Sequence, residues 1–222
     1  MASSRLRNSG VNIRLIASTS SPSRFDEPKP IAAFAGHLCA NVNSWDVFFC
    51  DYLVEQLTPV NRWGTEFFTP GLATRAGYAV RVLASQDNTT LSFNGAMVAT
   101  LDRAGYHEAR LTASTHITSD KPVLVLQFAE SSDADLVVDA DPFMVLAPQR
   151  NLFATGLEFC TPASGFKEHY VTVVAPASVN QITLDGAVIA PAFTAIGTSG
   201  YRSASVRLAT PGRHTLQAAA PV

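Results

Sequence analysis

The sequence predicts an all-β fold built from tandem antiparallel β-sandwich units, on three observations. The stretch from Tyr78, YAVRVLASQDNTTLSFNGAMVATL, is echoed from Tyr170 by YVTVVAPASVNQITLDGAVIAPAF, an internal repeat with a spacing of roughly 90 residues. Each copy sets an Asx-Gly pair between apolar runs: Asn94-Gly95 between Leu91/Phe93 and Met97/Val98, Asp185-Gly186 between Ile182/Leu184 and Val188/Ile189. Apolar and polar residues also alternate with the two-residue period of a half-buried strand, as in Ala204, Val206 and Leu208 against Ser203, Ser205 and Arg207.

Taken in chain order, Asp26 to Ala35 resembles Ser119 to Phe128: a polar turn, Lys-Pro, then an apolar strand. Proline fits at such a strand entrance, where its missing N–H breaks no ladder. Residues 1–36 therefore read as the tail of a preceding unit, 37–150 as a central unit and 151–222 as a second unit cut short at Pro221-Val222, so the chain is expected to be a fragment of a longer protein. The best helix candidate is Asp51 to Leu57, short and stopped by Pro59. Asn-Gly and Asp-Gly supply the positive φ angles of a type I′ turn, whose twist matches that of paired strands, so both are expected to close hairpins. Val123 to Leu126 is apolar on both faces and reads as a central strand of a packed sandwich. Gly105-Tyr106 and Gly200-Tyr201 open the second half of each copy.

With 222 residues, 47% of them hydrophobic, the chain is long enough for one or two sandwiches. A net charge of −2 argues against an electrostatic nucleic-acid surface. No apolar run approaches the roughly 20 residues of a membrane span. Arg14 interrupts the only apolar stretch near the start, so residues 1–20 carry no signal-peptide core.

Of three cysteines, Cys39 and Cys50 flank the loop ANVNSWDVFF. A disulfide there would close a loop of about 12 residues, worth ~3 kcal/mol in the chain-entropy model. The alternative is a pair of buried free thiols; the disulfide is favoured. Cys160 is left over, either buried or paired elsewhere. His37, Cys39, Cys50 and Asp51 lack the second ligand pair a zinc site needs. Asp133, Asp135, Asp139 and Asp141 lack the glycine and terminal glutamate of an EF-hand, and read as the solvated edges of a short strand or loop. No metal and no cofactor are expected. Nucleophile-elbow, zincin, P-loop and dinucleotide motifs are absent and the five histidines are scattered, so no catalytic residue is nominated.

The segment from Ile31 to Pro70 resembles the IgGFc-binding family, found in the N-terminal region of mucin-like Fc-gamma-binding proteins. The residues that carry the resemblance are Phe34-Ala35-Gly36, Cys39, Cys50-Asp51, Leu53, Glu55-Gln56-Leu57, Pro59, Trp63-Gly64 and Phe67. Val82 to Thr90, Ser119 to Val125, and Asp141-Pro142 with Met144-Val145 extend it in order along the chain. The resemblance implies an extracellular, non-enzymatic binding or adhesion module at mucus or cell surfaces, with a protein partner, immunoglobulin Fc among the candidates. It transfers no residue-level Fc site.

The stapled loop carries Trp45, Phe48 and Phe49, and an aromatic cluster on a rigid loop suits partner contact. These three and Trp63 are the candidate binding residues. Core packing is the favoured fate of Phe48, Phe49 and Trp63, while Trp45 is evenly balanced. Asn88-Thr89-Thr90 is a glycosylation acceptor sequon on a turn, although Asp87-Asn88 also favours a turn by itself. A glycan-binding module and an inert spacer are the alternative functions. A planar row of exposed aromatics including Trp45 and Trp63 would mark the first; charged faces throughout would mark the second.

Overall fold

The computed structural model describes residues 32–42, 49–137 and 140–222. These residues form sixteen strands and three single 3₁₀ turns, with no α-helix among them. Strands β1 (Ala33–Ala40) and β2 (Asp51–Leu57) make an antiparallel two-stranded sheet. The helix candidate at 51–57 is thus a strand. Seven residues are too few to sustain a helix without packing, whereas β1 offers them a ladder running from Ala33↔Leu57 to Ala40↔Asp51. Gly36 lets the two strands close up, because a Cβ there would collide with the backbone carbonyl of Leu53.

The next seven strands are β3 (Gly64–Thr69), β4 (Tyr78–Ala84), β5 (Thr89–Phe93), β6 (Ala96–Leu101), β7 (Tyr106–Leu111), β8 (Thr115–Ala129) and β9 (Met144–Leu146). The 15-residue β8 is their spine. At Ile117 it pairs with Phe93 and Phe67 on its two edges; at Leu126 it pairs with Arg81 and Leu146. Pro122 does not stand at a strand entrance as expected. It lies inside β8, between the stretch paired with β5 and the stretch paired with β4, so its missing N–H still costs no ladder bond. Val123 to Leu126 are buried on both faces, as their composition predicts. Val123 and Val125 pack with Phe67, Val82, Ala84, Leu91 and Ile117, while Leu124, Leu126 and Phe128 pack with Ala40, Val42, Leu53 and Met144.

Strands β10 (Gly156–Cys160), β11 (His169–Pro176), β12 (Ile182–Leu184), β13 (Ala187–Val188), β14 (Thr194–Ala195), β15 (Tyr201–Leu208) and β16 (Arg213–Ala218) form two further antiparallel sheets, ordered β10-β16-β12-β13 and β11-β15-β14. The two face each other across one cluster, Val173 and Ala175 from one sheet against Ile182 and Leu216 from the other. A 3₁₀ turn precedes β3 at Val60–Arg62 and another precedes β10 at Arg150–Leu152.

Both expected hairpins form, β5–β6 and β12–β13. Asn94 and Gly95 have φ of 50° and 82°, Asp185 and Gly186 of 53° and 79°. The Asx side chains do more than tolerate the turn. Asn94 N–H donates to the His116 carbonyl (2.8 Å) and its Oδ1 accepts from His116 N–H (3.0 Å). Asp185 N–H donates to the Thr215 carbonyl (2.9 Å) and its Oδ1 accepts from Thr215 N–H (2.8 Å). Each turn is thereby latched to the neighbouring strand. Gly95→Val is expected to cost about 1–2 kcal/mol, because a β-branched residue resists left-handed φ although space around Gly95 is open. Thermal unfolding reads this directly, and an unchanged midpoint would contradict it.

The tyrosines that open the two similar stretches do not occupy matching positions. Tyr78 is fully buried, its hydroxyl 2.7 Å from the Thr69 carbonyl and 2.9 Å from that of Ala113, whereas Tyr170 is exposed and donates to Glu168. Burial instead matches Val82 with Val173, Ala84 with Ala175 and Leu91 with Ile182. The difference is one residue, which in a strand exchanges the two faces. In β15, Ala204 and Leu208 face inward as expected, but Ser203 is buried as well, held by Ser114 across the two halves (Oγ–Oγ 2.8 Å). Phe68 continues that seam, 4.3 Å from the ring of Tyr201 and stacked on His116.

Candidate functional site

Cys39 and Cys50 are disulfide-bonded, with their Cα atoms 5.0 Å apart, and close the connection between β1 and β2. Cys160 is free and exposed, so neither burial nor a partner within the chain accounts for it. Trp45 and Phe48 lie outside the described residues. Phe49 is not in the core as favoured from the sequence. It is 65% exposed with φ of 68°, a conformation that turns the chain sharply into Cys50 and leaves the ring outside.

Phe49 forms one wall of a recess of about 270 Å³. The other lining residues are Ser132, Asp133, Leu136, Val137, Ala140 and Asp141. Leu136, also at positive φ, is 81% exposed. Two apolar side chains therefore stand free at the rim of a recess whose remaining wall is Val137 with small and acidic residues.

The recess rests on buried polar bonds. Asp135 accepts two hydrogen bonds from Arg75, Nε to Oδ2 at 2.8 Å and Nη2 to Oδ1 at 2.9 Å, and a third from Ala76 N–H at 3.0 Å. Both side chains are almost wholly buried. Burial raises the Asp135 pKa, but the bonds from Arg75 and Ala76 outweigh it and hold the carboxyl below its usual range. Arg75 Nη2 also donates to the Glu130 carbonyl at 2.7 Å. The fully buried Glu130 carboxylate takes a two-pronged contact from Arg110, and Ser131 is tied to Val42, at the foot of the stapled loop, through a side-chain and a backbone bond. Loop 130–137 and the stapled loop thus share one footing.

Asp135 is therefore not the solvated edge expected of the acidic run, because its carboxylate is buried on Arg75. Both oxygens of Asp135 are engaged by Arg75, and Asp139 lies outside the described residues. No metal-binding group of three His, Cys, Asp or Glu occurs among the described residues. His116 with Glu66 (3.0 Å) and His214 with Asp185 (2.7 Å) are histidine–carboxylate pairs, each histidine also stacked on a phenylalanine; they brace neighbouring strands.

Trp63 is half-buried against the cluster that contains Leu53, Leu124, Leu126 and Met144, and its indole N–H donates to the Thr58 carbonyl at 3.0 Å. It sits beside the far end of β2 from Phe49, so the two candidates are separated by about the 20 Å length of that strand. Asn88 is exposed at the turn between β4 and β5, with φ of 54°; Lys121 Nζ donates to its carbonyl at 2.8 Å. Sequence reasoning missed Arg75, Arg110, Glu130 and Ser131. Arg75 and Asp135 stand 60 positions apart and carry no local signature, so one sequence offers no signal for them.

The family model described as IgGFc binding protein matches residues 8–222, nearly the whole chain. The chain belongs to the IgGFc-binding protein family. The human IgGFc-binding protein is 26% identical over 206 residues, which cover 89% of this chain and 4% of that protein. The chain thus spans a small fraction of the curated relative it matches. No solved structure matches it. The family is one of binding proteins, in keeping with a β-rich scaffold that presents a stapled loop. No helix among the described residues is long and apolar enough to cross a membrane.

Proposed function

We propose that the chain is an extracellular, non-enzymatic module that binds a protein partner, immunoglobulin Fc first among them, through the stapled loop and the rim formed by Phe49 and Leu136. The observation that carries this reading is the footing of that rim. The backbone beneath the exposed Phe49 and Leu136 side chains is held by a disulfide, by the buried Arg75–Asp135 pair and by Arg110 on the buried Glu130, so ordering the rim on binding costs little backbone entropy. The disulfide also suits an oxidising compartment. Asn88 is exposed at its turn, as a glycan acceptor in a secreted protein must be.

In the same reading the chain is modular, with residues 37–150 and 151–222 as successive units and 1–36 as the tail of an earlier one. Matched pairings support this. A strand followed by an Asx-Gly hairpin pairs with a strand that opens on Gly-Tyr, as β4 with β7 and β11 with β15. The hairpin then pairs with the next strand, as β5 with β8 and β12 with β16. Glu66-Phe67-Phe68-Thr69-Pro70 and Glu158-Phe159-Cys160-Thr161-Pro162 lead into these blocks.

Titrating the oxidised protein against immobilised immunoglobulin Fc tests the proposal, with Phe49→Ala, Leu136→Ala and Trp45→Ala alongside. The expected result is saturable binding, weakened about tenfold or more by Phe49→Ala. Binding indifferent to all three variants would remove the loop from the site. No binding would overturn Fc as partner and turn the search to mucus glycans.

A further inference from the structure

The recess walled by Phe49 and Leu136 joins an apolar rim to a negative charge that nothing around it offsets. Its wall carries two exposed carboxylates, Asp133 and Asp141. Among the described residues neither has a hydrogen-bond or ion-pair partner. Ser132, the other polar side chain of the wall, donates its hydroxyl to the Ala140 carbonyl and is thereby spent. The two aspartates are left as the polar groups that an occupant would meet.

The segments that supply the recess hold no counter-charge. Residues 38–61 and 122–149 contain no Lys, Arg or His. The cations beneath the loop are already engaged, Arg75 by Asp135 and Arg110 by Glu130. Arg75 is also almost wholly buried, so it cannot turn outward without stranding Asp135. Asp51, two positions after Phe49, adds a further carboxylate at this end of the molecule.

Size and chemistry narrow the occupant. A recess of about 270 Å³ is smaller than the roughly 300–1,000 Å³ of small-molecule pockets, and suits a single side chain. Two carboxylates fall short of the roughly six to eight oxygens that a calcium ion takes. A lysine or arginine side chain has both parts that the recess asks for. Its apolar stem packs on an apolar wall while its charged head stays with the carboxylates. An aromatic wall such as Phe49 adds a cation–π attraction.

We infer that the recess takes a lysine or arginine side chain of the partner protein, its stem against Phe49 and Leu136 and its charge at Asp133 and Asp141. The inference names the partner chemistry of the site proposed above and rests on that reading. It does not require the partner to be Fc.

The test uses the oxidised full chain and three probes that share one stem: pentylammonium, pentylguanidinium and 1-pentanol. Binding is followed by the methyl chemical shifts of Leu136, Val137 and Ala140. At least one cation is expected to shift these methyls saturably, with a dissociation constant in roughly the millimolar range, and the tighter of the two assigns lysine or arginine. Pentanol is expected to bind about tenfold more weakly, and added salt to narrow the gap. Asp133→Asn with Asp141→Asn should erase the preference for the cations and keep the melting temperature, since both side chains are exposed. The same double variant should weaken binding to immobilised Fc about tenfold. No saturable cation shift at these methyls, pentanol binding as tightly as the cations, or a preference that survives the double variant would each overturn the inference. Fc binding that is lost in Phe49→Ala but untouched by the double variant would overturn it as well, and would leave the proposed binding rim standing. Cation binding at the recess without Fc binding would support the inference and remove Fc as the partner. The comparison of probes on the unsubstituted chain decides the matter even if the double variant misfolds.

Discussion

Replacing Asp135 by asparagine is expected to destabilise the protein by about 3–5 kcal/mol, the cost of breaking a buried ion pair from one side. Arg75 would keep its charge in a site almost closed to water, with one of its partners neutralised. Arg75→Met should cost a similar amount, and Arg75→Met with Asp135→Leu less than the sum, because removing both charges leaves neither stranded. Acid should erase the difference. The folded-state pKa of Asp135 lies below the usual carboxylate range, since the bonds from Arg75 and Ala76 overcome the opposing effect of burial. A depressed carboxylate contributes its full stability above the unfolded-state pKa and loses it as pH falls through the folded-state pKa. Urea unfolding at neutral pH and in increasing acid should show the unsubstituted chain and the asparagine variant converging. A neutral-pH difference under 1 kcal/mol would show that the pair is not the footing of the recess.

Removing the staple should be the second large effect. Cys39→Ser with Cys50→Ser opens a short loop and is expected to cost ~3 kcal/mol, chiefly by freeing the unfolded chain. The hairpin it holds is thin. β1 and β2 form a sheet of their own, and only one face of it reaches the core around Leu53 and Leu124. Loss of the bond should therefore show first at the hairpin, as faster hydrogen exchange in 33–57. Thiol labelling is the control. The native, unreduced protein should take up one alkyl group, at exposed Cys160, and three once reduced and unfolded. Labelling of Cys39 and Cys50 in the native state would mean that the staple is absent.

Much of the fold was legible because β structure writes itself locally. A two-residue period, a doubly apolar run at Val123 to Leu126 and two Asx-Gly turns each follow from contacts between near neighbours. Errors arose where tertiary context outweighed a local signal. Asp51 to Leu57 has helical composition but a waiting ladder partner in β1. Pro122 looks like a strand entrance but sits where β8 passes from one partner to the next. Aligning Tyr78 with Tyr170 is natural by eye, yet a one-residue offset buries the first and exposes the second.

The candidate site divides the same way. From sequence came the aromatic loop, the staple and the resemblance that the family match over residues 8–222 bears out. Alternation, turn chemistry and cysteine spacing are short-range, so the sequence by itself determined both hairpins and the all-β class, and favoured the bonded pair that the structure contains. Only the tertiary structure decided that Phe49 stands outside, that Trp63 lies at the other end of β2, and that Arg75, Arg110, Glu130 and Asp135 converge beneath the loop. Those outcomes depend on which distant segments meet, and burial turns such a meeting of charges from a surface accident into a requirement, because a buried charge without its partner is too costly to keep.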